Sequence, residues 1–154
     1  MTAGSSRLVL TFWAFFLTSR LLWSQAALPD IDPQNDPSSF VGMKLEELFA
    51  RFGLPQTVHA ARGGESWQDD VVFVYGEGEF FIYRDRVWQV GIKSMYGMKV
   101  GDAKAVALLT LGAGAKDEGN YLLYSIAGYT WPVSLRVNIE AGKISAMYVY
   151  RTDY

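Results

Sequence analysis

The sequence GMKLEELFARFGLP, residues 42–55, decides the reading of this chain, because it is stated twice. A second copy, GMKVGDAKAVALLTLG, occupies residues 97–112. Three pairs of markers keep nearly the same separation along the chain. They are Gly42-Met43-Lys44 with Gly97-Met98-Lys99, the closing glycines Gly53 with Gly112, and Arg86-Val87 with Lys143-Ile144 at equivalent places in two hairpins. An offset that drifts so little predicts one duplicated unit with small loop insertions.

Within the first copy, Leu45, Leu48, Phe49 and Phe52 recur at helical spacing and form one apolar stripe over a helix at 44–52. Glu46, Glu47 and Arg51 take the wet side; adjacent carboxylates on a helix do not face each other, so they form no acid–base pair. Gly53 stops this helix and Pro55 prevents its resumption. In the second copy a helix is expected over 102–111, with Asp102 as N-cap and Val106, Leu109 and Val100 directed inward. Residues 56–66 and 112–120 read as loops by composition.

Each helix is followed by strand-like runs: 71–75, 79–83 and 87–92, then 121–126, 131–140 and 143–151. In the last hairpin a two-residue turn at Ala141-Gly142 pairs Ile139 with Ile144. Strict alternation then buries Val133, Leu135, Val137, Ile139, Ile144, Ala146, Tyr148 and Tyr150, and turns Ser145, Met147 and Val149 outward. Carried back by the offset between Ile144 and Val87, the register puts Phe80, Ile82, Val87 and Gln89 inward, and Phe81, Tyr83, Trp88, Val90 and Ile92 outward. A three-residue turn at Arg84-Asp85-Arg86 would slip the register by one and exchange the two faces. The aromatic-outward register leaves a contiguous apolar patch, the usual mark of an interaction surface. Its candidate partner-binding residues are Phe81, Tyr83, Arg84, Asp85, Arg86, Trp88 and Val90, joined by Arg136 and Asn138 from the second hairpin. Tyrosine and tryptophan flanked by arginine dominate interface energetics.

Residues 1–26 have the layout of a cleaved secretory signal: Arg7, an apolar run at 8–19, then Ser24-Gln25-Ala26. The run is too short for a spanning helix and is followed at once by Arg20. Removing 1–26 takes away Arg7 and Arg20 and no carboxylate, so the formal charge of −2 becomes more negative by two. Such a charge exerts no general pull on nucleic acid. Residues 27–39, with Pro29, Pro33 and Pro37 among aspartates, read as a flexible leader. Repeat 1 then spans 40–95 and repeat 2 spans 96–154. The chain contains no cysteine, so an exported domain is held by its core alone.

The chemistry for catalysis is missing. One histidine, His59, stands without a nucleophile beside it, and Asp69-Asp70 point to opposite faces if they lie in a strand. Gly112-x-Gly114 follows a helix instead of opening one, so it does not fit a phosphate cradle. No metal-spaced cluster appears. The expectation is therefore no enzyme, no catalytic residues, no metal and no cofactor.

The run Gly42-Met43-Lys44, a short helix and then Leu-Phe-Ala-Arg-Phe-Gly-Leu-Pro resembles the opening of the SmpA/BamE-like fold. Tandem copies, each followed by a small antiparallel sheet, resemble the β-lactamase inhibitory protein (BLIP) architecture. The resemblance covers about residues 40–151. It implies an α+β fold in which two tandem helix-plus-antiparallel-sheet repeats form one continuous sheet with helices on one face. It further implies a protein-binding opposite face, with Asp85 on a hairpin turn that enters an enzyme cleft and with Phe81, Tyr83 and Trp88 as an aromatic platform. The chain departs from BLIP-type inhibitors in lacking their disulfides, and from BamE-like lipoproteins in lacking the acylated cysteine. The function expected is an exported, periplasmic or secreted, non-enzymatic module. It would bind another exported or envelope protein as inhibitor or accessory, with no membrane span after signal cleavage. The alternative is a periplasmic carrier of a small apolar ligand held between sheet and helices.

Overall fold

A computed structural model describes residues 39–62, 69–76 and 78–153. The expectations for the signal segment and for nearly all of the leader lie outside these residues. The element order is α1 (Leu45–Phe52), β1 (Thr57–Ala61), β2 (Asp70–Tyr75), β3 (Gly78–Tyr83), β4 (Arg86–Ile92), β5 (Ser94–Met95), β6 (Met98–Lys99), α2 (Lys104–Leu111), β7 (Ala115–Asp117), β8 (Tyr121–Ile126), β9 (Val133–Glu140) and β10 (Lys143–Arg151). Eight strands form one antiparallel sheet in the order β1-β2-β3-β4-β10-β9-β8-β7, and β5 and β6 form a separate ribbon. The fold is α+β, a single large sheet carrying two short helices on one face.

The two halves meet where β10 pairs with β4, Val149 opposite Val90 and Tyr148 opposite Gly91. Each half fastens its helix to its hairpin by the same three backbone bonds. Gly42 N–H donates to Val87 O at 2.7 Å, as Gly101 N–H does to Ile144 O at 2.8 Å. Val87 N–H donates to Met43 O at 2.9 Å, as Ile144 N–H does to Asp102 O at 2.8 Å. Leu45 N–H donates to Asp85 O at 2.8 Å, as Lys104 N–H does to Gly142 O at 2.9 Å. The counterpart of Gly42-Met43-Lys44 is therefore Gly101-Asp102-Ala103 and not Gly97-Met98-Lys99. The second GMK is taken up by the β5–β6 ribbon, whose turn is Tyr96-Gly97.

Helix α1 follows its expected stripe. Leu48 and Phe52 are buried, and the Glu47 carboxylate accepts the Lys44 backbone N–H at 2.8 Å, closing the first turn. Helix α2 does not follow its expected stripe: Ala107 and Leu111 are buried, whereas Leu109 is 86% exposed and Val106 and Val100 are exposed as well. The helix is apolar nearly all round, KAVALLTL, so no wet side marks which stripe turns inward. Asp102 is not the N-cap; its carboxylate accepts the Lys99 backbone N–H at 2.9 Å and Ala103 takes the cap position. Residues expected as loop also supply strands, β1 and β7, both at sheet edges and short of apolar signal.

The core lies between sheet and helices. In the first half it is aromatic: Phe80, fully buried, has Phe40, Phe52 and Tyr75 around it at centroid distances of 5.6–5.9 Å. Tyr75 places its hydroxyl on Gly53 O at 3.0 Å, so a buried phenol is satisfied at the end of α1. In the second half the core is aliphatic, from Leu122, Leu135, Val137, Ile144, Met147 and Val149.

Two β-bulges set which residues face this core. On β4, Phe81 pairs with Gln89 and Ile82 with Val87, so Trp88 is the extra residue. On β10, Asn138 pairs with Ala146 and Ile139 with Ile144, so Ser145 is the extra residue. The hairpin turns are two residues long, Arg84-Asp85 with φ of 47° and 68° and Ala141-Gly142 with φ of 48° and 74°. Of the two registers open in the sequence, the two-residue turn is the one formed. Beyond each bulge, however, the faces exchange. Val90 and Ile92 are core and Gln89 is not; Met147 and Val149 are core, and Ala146, Tyr148 and Tyr150 are not.

Candidate functional site: the helix-free sheet face

Among the described residues no helix packs on the second face of the sheet. Strand alternation brings there Phe81 and Tyr83 from β3, Trp88 and Gln89 from β4, Tyr148 and Tyr150 from β10, Arg136 and Asn138 from β9, and Tyr121 and Leu123 from β8. The bulge matters most at Trp88. Both residues of a bulge that oppose one partner lie on that partner's side, so Trp88 and Gln89 share the face of Phe81.

The rings are in contact. Phe81 and Trp88 meet edge to face with centroids 6.5 Å apart, and Phe81 and Tyr148 do so at 6.0 Å. Tyr148 reaches Phe81 across Gly91, its cross-strand neighbour; a Cβ on Gly91 would lie 3.5 Å from the Tyr148 ring and 3.3 Å from Glu79. The glycine thus leaves a shallow floor over which one ring leans toward another. Tyr148 also sits opposite Arg136, whose guanidinium lies 4.1 Å from the Tyr121 ring centroid. Arg136 Nε donates to Asn138 Oδ1 at 2.8 Å, which fixes the plane of the guanidinium. The result is a strip, Trp88–Phe81–Tyr148–Arg136–Tyr121, crossing five adjacent strands of the sheet.

Trp88 is half-buried and anchored. Its indole N–H donates to Asp70 Oδ1 at 3.0 Å. Burial raises the Asp70 pKa above the ordinary carboxylate value; the Trp88 bond pulls it back and the neighbouring Asp69 charge pushes it up again. Val72, fully buried, lies on this same face beside Phe81.

The expected site residues divide into three groups. Phe81, Trp88, Arg136 and Asn138 come together through Tyr148. Tyr83, Arg84, Asp85 and Arg86 stand at the end of the first hairpin: the Arg84 guanidinium lies 5.2 Å from the Tyr83 ring, and Arg86 donates from Nη1 to Gly42 O at 3.1 Å. Arg86 is thus committed to the joint between α1 and the hairpin. The Asp85 carbonyl holds Leu45, although its side chain remains exposed. Val90 is the correction: it is fully buried in the core opposite Phe80, because the bulge at Trp88 turns it inward. Tyr148 and Tyr121 were missed, Tyr148 because the second bulge was not anticipated. The signal was present in the spacing Val87, Val90, Ile92, which Ile144, Met147, Val149 repeat in the second hairpin.

A groove of about 310 Å³ opens beside Tyr148, the middle member of the strip, lined among others by Val74, Gly78, Glu79, Gly91 and Ala146. No cluster of three or more potential metal-ligating side chains occurs among the described residues, and no helix among them is long and apolar enough to cross a membrane.

No known protein-family profile matches this sequence, and no curated protein does. Two solved structures are similar in shape. An extracellular protein containing a SCP domain from Bacillus anthracis str. Ames is 10% identical, with a TM-score of 0.47 over 80% of this chain and 48% of that one. The chain therefore spans about half the length of that protein. A "putative beta-lactamase inhibitor protein" from Streptococcus mutans is 13% identical, with a TM-score of 0.29 over 79% of this chain and 90% of that one. Likenesses at these scores assign this chain neither an activity nor a partner.

Proposed function

We propose that this chain is an exported, non-enzymatic protein-binding module that docks another exported or envelope protein on the helix-free sheet face. The observation that carries the reading is the strip from Trp88 to Tyr121. Aromatic rings braced by arginine, on a pleated surface over which no helix packs among the described residues, have the composition of an interface centre. Arg84 and Asp85, exposed at the hairpin tip in left-handed backbone, form a second contact. The N-terminal layout of residues 1–26 supports export to a periplasm or out of the cell.

Duplication of one SmpA/BamE-like unit, arranged as in BLIP, is the origin we propose for the fold. It rests on the three paired helix-to-hairpin hydrogen bonds and on the two bulges at equivalent places. The narrower function is inhibition of an exported hydrolase. Titrating β-lactamases with the purified domain tests it: a rate that falls to a plateau at equimolar protein supports inhibition, and a rate undiminished at excess protein removes it. Carriage of a small apolar ligand is the second reading. The groove beside Tyr148 favours it, on the open face and not between sheet and helices. Quenching of tryptophan fluorescence by an aromatic ligand, lost in Tyr148→Ala, would mark that reading.

A further inference from the structure

The two edges of the eight-stranded sheet are built differently. β7 is three residues long and carries Lys116 and Asp117. Lys104 Nζ from α2 donates to Asp117 Oδ1 at 2.7 Å, and Lys116 pairs with Glu118 along the edge itself. Short, charged edges of this kind do not template another strand. β1, at the opposite edge, is Thr57-Val58-His59-Ala60-Ala61, paired with β2 in unbroken register. It contains no proline, no bulge, no lysine, arginine or carboxylate. The next cation, Arg62, turns away to Asp69, Nη1 to Oδ2 at 2.9 Å. Residues 57–60 are exposed, and Val58 keeps 55% of its surface in solvent.

We propose that β1 pairs antiparallel with β1 of a second copy of this chain, about a two-fold axis through His59. The choice of occupant follows from self-complementarity. In this register Val58 faces the second copy's Ala60 and Thr57 faces its Ala61. On each face of the sheet a branched side chain therefore meets a small one, and no like charges oppose. His59 meets its own counterpart at the axis. Identical antiparallel strands paired in this way keep residues 57, 59 and 61 on one face in both copies. The axis is normal to the sheet, so the helix-free faces of the two copies adjoin as one continuous surface. A docking face of this kind is bivalent, which raises avidity for a partner presenting two sites. The dimer itself does not depend on the function proposed above. One short strand pair makes a small interface, so association is expected to be concentration-dependent.

Sedimentation of the purified protein at ~100 µM and on serial dilution tests this, a range suited to small interfaces. The probes are wild type, His59→Lys, His59→Glu and an equimolar mixture of the two variants. The wild type is expected at twice the monomer mass, reverting to monomer on dilution. Each variant alone is expected to be monomeric with an unchanged circular-dichroism spectrum, because like charges face each other at the axis. The mixture is expected to recover the doubled mass. A wild type monomeric throughout overturns the proposal, as does a mixture that stays monomeric. A dimer that persists in both variants places the contact elsewhere, for example on the exposed apolar side of α2 around Leu109, and overturns it equally.

Discussion

Trp88 and Ser145 occupy the same place in two hairpins: each is the extra residue of a β-bulge, close behind a two-residue turn. Together they decide what the protein shows to solvent. Without them Met147 and Val90 would face outward, and Tyr148 would lie in the core.

The exchange of faces is measurable as stability. Met147 is fully buried and Tyr148 is not. Met147→Ala should cost ~2–5 kcal/mol of unfolding free energy, the range for truncating a buried side chain and leaving a cavity. Tyr148→Ala, on the open face, should cost ~1 kcal/mol, the scale of a lost aromatic pair. Phe80→Ala against Phe81→Ala should show the same contrast in the first half, since Phe80 is the buried member. Denaturant titration decides it, and costs in the reverse order would place the bulges wrongly.

Gly42 and Gly101 make equivalent bonds at φ of +93° and +97°, but their surroundings differ. A Cβ on Gly42 would lie 2.8 Å from Trp131 Cζ2, whereas one on Gly101 would meet nothing within 4 Å. Gly101→Ala should therefore cost only its backbone strain, ~1–2 kcal/mol. Gly42→Ala should cost ~1–3 kcal/mol more, because the Trp131 ring must move. Equal losses in thermal or chemical unfolding would mean that Trp131 gives way freely.

Asp70 gives the face a pH signature. Burial raises its folded-state pKa, so the folded protein holds this proton more tightly than the unfolded chain. Ionised Asp70 therefore disfavours folding above the folded-state pKa, and that penalty disappears as pH falls through it toward the unfolded value. Asp70→Asn keeps an acceptor for the Trp88 indole and removes the charge. The variant should be more stable than wild type at neutral pH, with the advantage shrinking on acidification. An advantage that grows as pH falls would contradict the sign.

Legibility followed the strength of local pattern. Helix α1, the three longer strands of each half and the Ala141-Gly142 turn were readable because Leu45/Leu48/Phe52 and Val133/Leu135/Val137/Ile139 keep strict periods. The bulges were not read, since one inserted residue breaks alternation without a glycine or proline to mark it. The inward face of α2 was misread because its sequence, KAVALLTL, is apolar nearly all round and offers no wet side to orient it. Edge strands β1 and β7 escaped because neither buries a face. Phe81, Trp88, Arg136 and Asn138 were foreseen as neighbours of one surface, but Tyr148, which joins them, depended on the bulge at Ser145.

The bare face as docking surface is tested most directly by comparing which exported proteins are retained by immobilised wild type and by the Trp88→Ala/Tyr148→Ala double variant. Near-ultraviolet dichroism and melting temperature serve as the control for folding. The expected result is a folded variant that no longer retains what the wild type retains. Retention of the same proteins in the same amounts by a folded variant would contradict the assignment.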